Sequence, residues 1–95
     1  MFIVLLKFSD NKAKANELME GHNAWIKSGF DEGVFLLVGS IKPGVGGGVV
    51  AYNTSLEDLQ IRLNRDPFVA ENVVKAEILE ISPAKAEARL EFLMA

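Results

Sequence analysis

His22 is the only histidine in this 95-residue chain, and its side chain is the one best suited to reversible proton transfer. Imidazole changes charge near neutral pH, so it gives and takes protons under mild conditions. His22 falls on an apolar stripe of Ala15, Leu18, Met19, His22, Ile26 and Gly29, whose steps fit one face of a helix. A helix interior holds a ring rigidly, as general acid–base work requires. The plainer alternative is a core or interface histidine satisfied by one hydrogen bond. Asp66 is the second candidate. Its carboxylate can accept from one imidazole nitrogen, fix the tautomer and leave the other nitrogen for a substrate. Asp66 also precedes Pro67, a pairing that reads as a helix N-cap followed by a first-turn proline. The two roles are compatible, because one oxygen can cap while the other faces a pocket.

Other motifs carry less. Trp25 lies one turn from His22 and either walls a pocket for a planar ligand or simply packs. The run Gly44-Val45-Gly46-Gly47-Gly48 invites comparison with a phosphate loop. A dinucleotide fingerprint follows a strand and opens a helix, whereas this run joins two predicted strands, with Val49 at the pattern's sixth position. It reads as a hairpin connection or a pocket lip. Ser40 follows Gly39 outside any nucleophile elbow. A single histidine and no cysteine give no metal-ligand spacing, so neither metal nor cofactor is expected.

The elements that must position these residues fit one domain, residues 1–95. Net charge is −3, and the sequence pI is near 5.1. Ten basic residues are scattered among thirteen acidic ones without a basic stripe. Nucleic acid and anionic membrane surfaces, which draw their affinity from clustered Lys and Arg, are therefore not expected partners. The absence of cysteine excludes disulfide scaffolds and thiol nucleophiles and fits a reducing compartment. The apolar start, Met1 to Lys7, has no basic n-region and no cleavage site and falls far short of a spanning helix. The expectation is a first strand and a cytoplasmic protein. An apolar share of 49% and a mean hydropathy of +0.19 are high for so thin a core and suggest apolar surface covered by self-association.

Along the chain, Phe2 to Phe8 suits a central strand. A helix is predicted from about Asn11 to Phe30, with Gly21 a mild weakener beside His22 and Gly29 a possible terminator. Val34 to Ser40 and Gly48 to Asn53 read as strands joined by the glycine-rich loop. Thr54-Ser55 caps a second helix, with Glu57 at capping-box spacing from Thr54, and that helix stops near Asn64. A short helix runs from Asp66-Pro67 to Glu71, and Val73 to Ile81 alternates as a fourth strand. The tail, 82–95, reads as helix in preference to a strand exchanged with another chain.

The order is β-α-β-β-α-β, which predicts an α+β, ferredoxin-like fold: a four-stranded antiparallel sheet with both helices on one face. The other face would be bare and apolar, and a second copy of the chain would cover it.

On His22, Asp31-Glu32-Gly33, Gly39-Ser40 and Asp66-Pro67-Phe68-Val69, in that order and spacing, the chain resembles the YCII-related (YciI-like) family from about Met1 to Pro83. The resemblance implies a dimeric α+β barrel, two ferredoxin-like sheets packed face to face. It also implies a His–Asp active site, carried here by His22 and Asp66. A related dehydrochlorinase and the structurally similar muconolactone isomerases imply proton transfer on small ring compounds. The sequence departs from the family pattern at Met19, where many relatives carry arginine, and at Ser40, where proline is usual. Loss of the arginine removes an anion-binding group.

These readings combine into an expected small-molecule enzyme of lyase or isomerase type. His22 would be acid or base and Asp66 its orienting partner, with Trp25, Gly39, Ser40 and Phe68 lining the pocket. The rival expectation is a non-catalytic ligand-binding or accessory dimer of the same fold. In both, the partners are a small molecule and another copy of the chain, as a homodimer or larger homo-oligomer.

Overall fold

The near-continuous apolar run Phe2–Phe8 forms strand β1 in the middle of the sheet. In the computed structural model, which describes residues 1–94, β1 pairs antiparallel with β3 (Gly46–Ala51) on one side and β4 (Val74–Glu80) on the other. Strand β2 (Phe35–Ile41) pairs with the outer side of β3. Helix α1 (Ala15–Asp31) follows β1, and α2 (Leu56–Asn64) follows β3, with the single-turn α3 (Pro67–Ala70) leading into β4. The sheet order β2-β3-β1-β4 with this succession is the expected α+β, ferredoxin-like arrangement.

Strand alternation sorts the side chains into two sets. Phe2, Val4 and Leu6 of β1, Val49 and Ala51 of β3 and Val74 of β4 are buried, and the core gathers them with Trp25, Leu59, Leu63 and Phe68 from the helices. On the opposite face Ile3, Leu5 and Val50 are half-buried, while Leu37 and Leu79 are exposed. One face of the sheet thus carries the core, and the other is apolar and open in the single chain. No helix among the described residues is long and apolar enough to cross a membrane.

Four local expectations are corrected. Helix α1 begins after a 3-10 turn at Lys12–Lys14 and continues past Gly29 to Asp31. Gly29 is buried, and its hydrogen stands where any larger group would strike the ring of Phe35. It is a contact point between helix and strand, not a terminator. Strand β3 starts at Gly46, two positions earlier than expected. Gly46, Gly47 and Gly48 have partners on both sides, Lys7, Leu6 and Leu5 in β1 and Ile41, Ser40 and Gly39 in β2. Low strand propensity is overridden by two neighbouring ladders. At α2 the cap is Ser55, whose side chain accepts from the Asp58 N–H at 3.0 Å, rather than Thr54. The tail forms neither α-helix nor strand. An irregular stretch leads to a seven-residue 3-10 helix at Ala88–Met94, so the helical expectation holds only for the tail's second half and in the tighter form; there Phe92 meets the Tyr52 ring edge-on at 5.3 Å. Leu90 and Met94 stay exposed, so the tail's helix-forming residues lack the packing that stabilises short helices. The last tail residue, Ala95, lies outside the described residues.

A Gly29→Ala substitution tests the helix–strand contact. The added methyl must displace a buried aromatic ring, so chemical denaturation should show a loss of about 1–3 kcal/mol, the usual range for overpacking.

Candidate functional site

The turn between α2 and α3 brings the two predicted residues together. Helix α2 cannot run on into Pro67, because proline disfavours helical backbone at the residue before it. Asp66 accordingly takes extended backbone and caps α3, its Oδ1 accepting from the Phe68 N–H at 3.0 Å. The same oxygen lies 2.8 Å from Nδ1 of His22. Gly21 permits this approach. A Cβ at that position would stand 3.1 Å from the Pro67 ring, so the absent side chain lets α3 lie close against α1. The helix weakener beside His22 therefore has a packing function.

Asp66 is fully buried, while the His22 side chain retains 14% exposure. Because Oδ1 already accepts from a backbone N–H, the carboxylate acts as acceptor and Nδ1 of His22 carries the shared hydrogen. In the neutral ring Nε2 then holds the free lone pair. It has no hydrogen-bond partner among the described residues. Oδ2 of Asp66 is buried without a partner among those residues. Both hydrogen bonds of the Asp66 side chain among those residues therefore run through Oδ1.

Aromatic rings fix the imidazole plane. Phe68 stacks on His22 with centroids 3.9 Å apart and planes within 2°. The Trp25 ring is also stacked with His22, at 5.9 Å and 21°. Trp25 is itself anchored, its Nε1–H donating to the Arg62 carbonyl at 2.9 Å. The Arg62 guanidinium reaches Glu32 at 2.9 Å. That hydrogen bond, with the attraction of the guanidinium charge, holds the Glu32 carboxyl below its ordinary value. Helix α2 is thereby tied to the C-terminal end of α1, across the aromatic stack.

Beside the ring a cavity of about 280 Å³ opens between α1 and the sheet. His22, Trp25, Gly39, Ser40 and Phe68 are among the residues that line it. Asp66 does not, and it reaches the cavity only through His22. Sequence reasoning missed Asn23, Val38 and the strand residues Gly46 to Gly48 as lining. Asn23 had a signal, since it is polar and adjacent to His22. The glycines gave one only as a pocket lip, because their place in β3 depends on partners distant in sequence. No group of three or more His, Cys, Asp or Glu among the described residues is arranged to hold a metal ion.

The arrangement is an imidazole with one nitrogen held by a carboxylate and the other free, at the edge of a largely apolar hollow. It can take a proton from a bound molecule and return it. Neither a protein-family model nor a curated protein matches the chain.

Asp66 variants separate its two hydrogen bonds from its charge. Asp66→Ala removes the cap, about 0.5–2 kcal/mol, and leaves the His22 N–H unpaired, about 1–3 kcal/mol more. Asp66→Asn keeps an acceptor for both donors and should lose less. Urea denaturation of the two variants measures the difference.

Proposed function

We propose that the chain is a small-molecule enzyme of lyase or isomerase type in which His22 is the general base and Asp66 its positioning partner. The observation that carries this reading is the 2.8 Å contact between Nδ1 and a buried carboxylate, beside a cavity that His22 itself lines. Nε2 takes a proton from a carbon or oxygen of the bound molecule. Asp66 keeps the ring in the productive tautomer and stabilises the positive charge that the ring then bears. In a lyase, the pair released from the broken C–H bond forms a double bond as the leaving group departs with its own pair. In an isomerase, His22 returns the same proton to a different atom. The residues of the YciI-like resemblance, His22 and Asp66-Pro67-Phe68, are the ones that build this geometry.

Positioned acid–base groups contribute roughly 10²–10⁴-fold in rate. His22→Ala should lose about that factor in kcat with a cooperative melt retained, and Asp66→Asn should lose kcat more than KM changes. Undiminished turnover in His22→Ala rejects the assignment. A second reading is favoured by one observation: Asp66 already has a complete structural task as the cap of α3. On that reading the cavity only holds its ligand, and product formation separates the two.

The enzyme is further proposed to act as a homodimer in the cytoplasm, with the open sheet faces packed together. A second copy is the favoured occupant because the face is apolar through Ile3, Leu5, Val50 and Leu79 and carries charge of both signs, with Lys7 3.8 Å from Glu77. A strongly charged partner would find no matching surface there. Sedimentation velocity should give two chains for the wild type and one for Leu5→Lys; a monomeric wild type ends this proposal.

A further inference from the structure

The cavity's wall also limits what can occupy it. Among the described residues that line it there is no Lys, Arg, Asp or Glu. Its walls are apolar side chains such as Leu6, Ile26, Val38 and Val49, and its polar side chains are those of His22, Asn23, Ser40 and Trp25. The Trp25 Nε1–H is already engaged by the Arg62 carbonyl. Lys12, whose ammonium lies 4.6 Å from the Phe8 ring centre, does not line the cavity although Phe8 does. The one titratable lining group, His22, is backed by the buried carboxylate of Asp66, whose charge repels a second anion. The glycine run does not offset this. Gly46 to Gly48 are paired with strands on both sides, so their amides are engaged in ladders instead of forming a cradle.

Gly47 sets the depth of the hollow. It pairs with Leu6 and Ser40 and shares the helix-facing side of the sheet with Leu6 and Val49. A Cβ at this position would meet the Gly39 carbonyl oxygen at 3.4 Å and, beyond its chain neighbours, nothing else within contact distance. The space over Gly47 is therefore cavity, where a typical β-branched strand residue would fill it. The volume of about 280 Å³ is near twice the ~150 Å³ of an apolar cavity that holds benzene.

We propose that this cavity selects an uncharged, ring-sized molecule, and that Gly47 is the residue that determines the size accepted. The proposal rests on the cavity being the active site and adds the class of its ligand.

Benzamide and benzoate are matched in size and differ in charge, so they serve as probes. Titration of the full chain, followed by amide NMR shifts, should show benzamide binding at least tenfold tighter than benzoate, with shifts at Gly47 and His22. Burying an unpaired carboxylate is the cause of the discrimination. Gly47→Val should abolish benzamide binding while melting cooperatively, and Gly47→Ala should weaken it at least threefold, which serves if the valine variant does not fold. Benzoate binding as tightly as benzamide, no binding of either, or a folded Gly47→Val that binds like the wild type overturns the proposal. Because the readout is binding, loss of the catalytic reading through an active His22→Ala would leave these outcomes unchanged.

Discussion

A single carboxylate oxygen organises this molecule's candidate chemistry. Oδ1 of Asp66 accepts the Phe68 N–H that starts α3 and the ring N–H of His22 on α1. A buried charge is tolerated only when hydrogen bonds compensate it, so the turn, the short helix and the imidazole must be assembled together. The Phe68 ring, placed by that same turn, then stacks on His22 and fixes its plane. Polar geometry and aromatic packing are two results of one local arrangement.

The hollow beside it has a separate origin. An antiparallel strand between β1 and β2 would ordinarily fill its helix-facing side with branched side chains. Strand β3 does so at Val49 and places a buried methyl at Ala51, but puts no side chain at Gly47. The core is thus dense at one end of the sheet and open at the other, where His22 stands. Trp25 and its tie through Arg62 to Glu32 brace the boundary between these regions.

Much of this was legible in the sequence. The order of elements follows from apolar period and from punctuation by Asn, Pro and Gly, and the residue types of His22 and Asp66 mark them as a candidate pair. The corrections concern residues whose role is set by three-dimensional packing and backbone geometry that residue type does not encode. Gly29 looked like a terminator because its contact with Phe35 lies across a turn. Gly46 and Gly47 have the composition of a loop, but the remote strand β1 and the neighbouring strand β2 hold them in two ladders. Thr54 and Ser55 offer the same hydroxyl chemistry one position apart, and only backbone geometry distinguishes them. The tail's composition favours helix, and with Phe92 against Tyr52 as its aromatic contact it forms a 3-10 helix and not an α-helix.

The double duty of Asp66 has an evolutionary corollary. Natural selection for folding alone is enough to retain the acid, since the entry into α3 depends on it. His22 is tied to it by the same packing, because an aliphatic residue of similar bulk on α1 would leave the buried carboxylate with the Phe68 N–H as its one donor among the described residues. Loss of the ring therefore raises the cost of keeping the acid, and the two positions are bound to change together in descendants of this chain.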